Sequence, residues 1–140
     1  MNILKKLFFV SLLSISSLGF SAVSLSGNVA LTTDYVWRGM TQNAGDPSIS
    51  GGFDLEDDSG FYLGAWAANV ASGDDSGATG SLELDGYLGY AGSFNDDAGY
   101  DVGYIAYTYP AVDSLDFEEL YITFDFYGVH VMYAGGVGSA

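Results

Sequence analysis

A chain of 140 residues that is 49% hydrophobic, 16% aromatic and 15% charged has room for one domain and is too apolar for disorder. It holds 0 Cys, which excludes disulfides, thiolate metal sites and thiol nucleophiles. Its formal charge of −15 repels phosphate backbones, so no nucleic-acid partner is expected.

The chain opens as a targeting segment. "MNILKK" is a positive start, "LFFVSLLSISSLGF" is an apolar run too short to span a bilayer as a helix, and small residues follow in "SAVS". Residues 1–23 therefore read as a signal peptide, cut somewhere between Ser21 and Ser24. Lys5 and Lys6 leave with it, and the remainder carries 18 acids against Arg38 alone, a net −17. No later stretch reads as a membrane helix, because glycines and acids interrupt every apolar run.

From Ser24 the pattern has period two, the signature of strands. Leu25, Gly27, Val29, Leu31, Thr33, Tyr35 and Trp37 share one face of a first strand reaching Arg38; Asn28, Thr32, Asp34, Val36 and Arg38 share the other. After Pro47, Ile49, Phe53 and Leu55 alternate with Ser48, Ser50, Asp54 and Glu56, and "DDSG" (57–60) reads as a tight turn. "FYLGAWAANV" (61–70) is apolar on both faces. "SLELDGYLGY" (81–90) sets Leu82, Leu84, Leu88 and Tyr90 against Glu83, Asp85 and Tyr87. "YDVGYIAYTY" (100–109), "ELYITFDFY" (119–127) and "VHVMY" (129–133) complete the series.

The connections alternate between longer ones, near 41–47, 71–80 and 110–117, and shorter ones, near 57–60, 93–98 and 127–128. Outer-membrane barrels sort their loops in this way. Strands of roughly ten residues match a tilted membrane strand. Aromatics at strand ends, including Tyr35, Trp37, Phe61, Tyr62, Tyr107, Tyr109, Phe126 and Tyr127, suit interfacial girdles. The expected fold is all-β, an antiparallel transmembrane β-barrel over residues 24–140. Its natural rival is a soluble secreted β-sandwich that binds a ligand.

Several stretches resemble the TorF-type porin family of Gram-negative outer membranes: "SGNVALTTDYVWRGMTQN" (26–43), "DPSISGGFDLEDDSGFYLGAWAANV" (46–70), "SLELDGYLGYAG" (81–92), "YDVGYIAYTYP" (100–110) and "EELYITFDFYG" (118–128). The resemblance implies an outer-membrane location, contact with lipid and with the barrel-assembly machinery, and passive diffusion of small polar solutes or ions. It implies no cofactor and no enzymatic activity. Members of that family look longer, with a closed and even set of strands. About seven strands with no terminal aromatic suggest an incomplete chain or closure by an oligomer.

The polar face carries the candidate chemistry. Lumen-facing candidates are Asp34, Arg38, Asp54, Glu83, Asp85, Asp101 and Asp125. Arg38 on a lipid face would cost roughly 2–4 kcal/mol, so it should turn inward to meet a carboxylate; Asp54, Glu56, Glu83, Asp85, Asp101 and Asp125 are the partners considered. It then serves either as a lumen ion pair or as a constriction residue. The acidic excess points to cation-leaning passage. The alternative is a non-conducting structural or adhesive barrel, filled by residues such as Tyr87, Tyr107, Tyr109 and Tyr121. His130 is the only His, too little for a catalytic triad. The acids at 56–58, 74–75 and 96–97 read as turn chemistry, and "DDSGATG" (74–80) lacks the closing Glu of an EF-hand.

Overall fold

The computed structural model describes residues 22–73 and 79–138. The proposed leader through residue 21 and the acids Asp74 and Asp75 lie outside the described residues. Period-two alternation becomes strand almost everywhere it occurs. β1 (Val23–Thr32), β4 (Ser48–Asp57), β5 (Phe61–Gly73), β6 (Thr79–Asn95), β7 (Ala98–Thr108), β8 (Phe117–Phe126) and β9 (Val129–Gly136) form one antiparallel sheet in the order β1-β4-β5-β6-β7-β8-β9. Each long strand pairs with the next long strand in sequence, so the sheet is a meander. β2 (Val36–Trp37) and β3 (Met40–Thr41) form a separate small hairpin between β1 and β4.

The sheet is not closed. β1 and β9 each have a single neighbour, and the barrel expected from the sequence is absent among the described strands. Six antiparallel pairings separate the two edges, so β1 and β9 run in the same direction.

Register fixes the faces. Leu25 lies opposite Leu55, Leu31 opposite Ile49, Leu63 opposite Leu88, Val102 opposite Ile122 and Phe124 opposite Val131. These residues share one surface, and no second layer covers it: Leu31 is 80% exposed, Val29 75% and Phe53 67%. Buried groups lie on the opposite surface, where Val70, Tyr107 and Tyr109 form the packed cluster, with Tyr35, Trp37, Ile105, Leu115 and Phe117 against it. Glu83 is 2% exposed on that same side. The doubly apolar segment 61–70 resolves with Leu63, Ala65 and Ala67 on the exposed face and Tyr62, Gly64, Trp66 and Ala68 on the buried one.

One expectation needs correction. β1 ends at Thr32, not Arg38. Alternation continues through Tyr35 and Trp37, but Arg38 (φ 48°) and Gly39 (φ 85°) both take left-handed backbone, the pattern of a type I′ hairpin turn. The chain therefore doubles back, with Val36 opposite Thr41 and Trp37 opposite Met40. Tyr35 and Trp37 consequently leave the proposed aromatic girdle and turn over the buried face. Tyr62, Tyr107 and Tyr109 face that way too, while Phe61 and Phe126 remain on the apolar surface.

Tyrosines pack on this sheet by lying across glycines of the next strand. Tyr87 is opposite Gly64, Tyr62 opposite Gly89 and Tyr121 opposite Gly103. A Cβ on Gly64 would stand 2.5 Å from the Tyr87 ring; at Gly86 it would meet nothing within 4 Å. Absence of a side chain at Gly64 is thus what seats the ring. We expect Gly64→Ala to lower stability by about 1–3 kcal/mol through overpacking and Gly86→Ala to change it by less than about 0.5 kcal/mol. Urea unfolding midpoints of the two variants in detergent micelles check this difference.

Candidate functional site

Three acids of the buried face, Asp54, Glu83 and Asp101, are held by phenols. Tyr62 in β5 crosses Gly89 in β6 and donates to Asp101 in β7 at 2.6 Å. Tyr87 in β6 crosses Gly64 in β5 and donates to Asp54 in β4. Tyr121, from β8, meets the Tyr62 hydroxyl. Glu83 accepts from Tyr35 at 2.8 Å and from Tyr109 at 2.6 Å, one phenol on each oxygen. A neutral O–H donor satisfies a carboxylate without bringing a cation. This is how a face with so little positive charge holds so many acids.

The second element is the β2–β3 hairpin, which folds back over the same face. Its tip carries Arg38, whose Nη1 and Nη2 donate to Glu119 Oε1 and Oε2 at 2.8 and 2.7 Å. The fork-to-fork geometry suits guanidinium and carboxylate alone among side-chain pairs. The Arg38 Cζ also lies 4.1 Å from the Trp37 ring centroid. Trp37 meets Tyr107 and Phe117 edge-on at 6.0 and 6.1 Å, and Tyr35 meets Trp66 at 5.4 Å. Backbone bonds anchor the hairpin base, Gln42 N–H donating to Tyr35 O at 2.7 Å and Ala71 N–H to Gln42 O at 2.8 Å. The hairpin lies at the end of the sheet that carries the longer connections, where β5 ends and β6 begins. Below it is a cavity of about 490 Å³ lined by Trp37, Met40, Glu83, Tyr107, Tyr109 and Phe117.

Six of the seven residues proposed as lumen-facing come to this face or over it. Asp54, Glu83, Asp85, Asp101 and Asp125 stand on it, and Arg38 reaches it from the hairpin. Asp34 serves the hairpin itself, accepting from Thr41 Oγ1 at 2.6 Å, and borders a cleft beside Ser48, Ser50 and Trp66. Asp125 pairs with His130 near the short-turn end. The partner of Arg38 is none of those expected. It is Glu119, which falls on the same alternating set as Tyr121, Thr123 and Asp125; that periodicity was the available signal. The roles of Tyr35, Trp37 and Tyr62 as inward-turned residues were equally unforeseen. Of the acids on the face, Asp85 stands apart. It is 7% exposed, and its Oδ1 has no hydrogen-bond partner. Among the described residues, no three of His, Asp and Glu gather as a metal cluster.

The chain belongs to the Gcw_chp family. That family, described as a bacterial protein of unknown function, matches residues 17–137. No curated protein and no solved structure matches the chain.

The hairpin latch has measurable consequences. Its hydrogen bonds to Glu119 raise the Arg38 pKa, so the guanidinium stays charged through neutral and alkaline pH. Burial, then the hydrogen bond to Glu83, raises the Tyr35 pKa above that of free tyrosine. Its stabilising contribution is complete below the ordinary tyrosine range and is lost as pH climbs through the raised value. Tryptophan fluorescence, from Trp37 and Trp66 together, should therefore stay constant through neutral pH and shift to longer wavelength only in strong alkali. Arg38→Ala should cost about 1–3 kcal/mol by stranding Glu119, Arg38→Lys less, and Arg38→Ala with Glu119→Ala less than the sum of the singles. Urea midpoints read by tryptophan emission test each of these.

Proposed function

We propose that the chain forms part of an outer-membrane β-barrel through which small polar solutes or ions diffuse passively, with a preference for cations. One observation carries this reading. The face bearing Val29, Leu31, Phe53, Leu88 and Phe124 is bare, and Glu83, Asp85 and Glu119 are buried on the opposite face. Each large apolar side chain left in water forgoes roughly 1.5–3 kcal/mol. Over the whole face that exceeds the ~5–15 kcal/mol net stability of a typical domain. Acyl chains against that surface remove the conflict, and the strand lengths suit a bilayer. The resemblance to TorF-type porins points the same way, as does the sorting of long and short connections onto opposite ends.

In a barrel the exposed edges of β1 and β9 must be paired, because unpaired backbone groups in hydrocarbon cost several kcal/mol each. Since β1 and β9 run in the same direction, an odd number of added strands closes the sheet with antiparallel neighbours throughout. The enclosed face would then present acids and phenols, with the β2–β3 hairpin narrowing the end that holds the longer connections. Solute passes beside the hairpin, and Glu83 and Glu119 set the sign of the field there.

Outer-membrane fractionation together with gel mobility that changes on heating should mark the protein as a folded barrel. Recovery as a soluble periplasmic species would defeat the proposal. In planar bilayers under a KCl gradient, the reversal potential should show cation preference, and Glu119→Gln should reduce it. An anion-selective reversal would defeat the cation preference, and vesicles that stay sealed to small sugars and ions would leave only the non-conducting alternative.

A further inference from the structure

We propose that Asp85 anchors a binding site for a small organic cation of the ammonium class. The inference starts from a shortage of donors. Tyr35 and Tyr109 are committed to Glu83, Tyr87 to Asp54, Tyr62 to Asp101, and Arg38 to Glu119. The Tyr107 hydroxyl also points to Glu119, at 3.5 Å. Asp85 is the acid left over. It is more than nine-tenths buried, and its Oδ1 has no hydrogen-bond partner. A buried carboxylate without a counter-charge or donor is costly, and a cation from solution removes that cost.

The surroundings select the kind of cation. Asp85 is directly opposite Trp66 in β5 and Tyr107 in β7, so an aromatic ring flanks it on each side. Tyr35 from the hairpin packs against Trp66 and extends the aromatic wall. Metal ions want several oxygen ligands, and the adjacent Glu83 already has a phenol on each of its oxygens. One free carboxylate beside aromatic faces is instead the chemistry that holds an alkylammonium, with charge met by charge and methyl or methylene groups met by rings. The neighbouring open space is the cavity under the hairpin: Glu83 and Tyr107 line it, and Asp85 lies two residues further along β6 on the same face, roughly 7 Å beyond Glu83.

The site does not depend on the pathway conducting, so its test uses binding. The chain holds 2 Trp, Trp37 and Trp66, and Trp66 neighbours Asp85. The full chain, refolded in detergent micelles, is titrated with tetramethylammonium chloride against NaCl at equal ionic strength. Tetramethylammonium should give a saturable change in tryptophan emission that NaCl does not reproduce. Asp85→Asn should weaken it by roughly tenfold or more, and Asp96→Asn, in an exposed turn, should leave it unchanged. Tetramethylammonium should also raise the urea midpoint of the unaltered protein above that in matched NaCl, a readout that does not require the variant to fold. No saturable change in the unaltered protein, an equal response to NaCl, or an undiminished response in Asp85→Asn overturns the proposal. Silent bilayers with intact tetramethylammonium binding would defeat the diffusion pathway and leave this site standing.

Discussion

The architecture depends on a phenol laid across a glycine. Tyr62 over Gly89 and Tyr87 over Gly64 let a hydroxyl reach beyond the adjacent strand to a carboxylate on the following one. Without the glycine the ring would stand off the sheet, and the acid would lose its donor. Each such pair links three strands, with the ring spanning the middle one. It also desolvates the acid without recruiting a base. The same device accounts for the composition, in which Tyr and Gly are plentiful and cations are scarce.

Much of this sheet was legible in the sequence, because alternation is a direct consequence of strand geometry. β4, β6, β7 and β8 stand close to where apolar and polar residues alternate, and the tight turns at 57–60 and 127–128 are seen at Gly60 and at Tyr127-Gly128. The hairpin was not legible. Thr33, Tyr35 and Trp37 keep the period of β1, and the signal that breaks it is the dipeptide Arg38-Gly39, whose first residue takes a positive φ that side chains seldom adopt. The phenol network was invisible for a different reason. It depends on register between strands, which sets Tyr62 opposite Gly89, and no local pattern states that pairing.

Arg38 illustrates how a single cation is used. At the tip of the hairpin it occupies a backbone conformation better suited to glycine, and it is held there by two charge-assisted bonds and an indole face. Turn geometry and latch chemistry thus meet in one residue. The hairpin it closes brings Tyr35 to Glu83 and Trp37 to Tyr107, so the packed cluster of the protein forms only where the connection returns to the sheet.

The common direction of β1 and β9 has a consequence for how copies could associate. The two borders are chemically different: one presents Ser24, Ser26 and Asn28 on its inner side, the other His130, Met132 and Ala134. Like borders meeting about a twofold axis would pair antiparallel, whereas unlike borders, β9 of one copy on β1 of the next, would pair parallel and join head to tail. In such an assembly, the bend of each sheet would fix how many subunits complete a ring, and a flatter sheet would produce an open-ended ribbon instead.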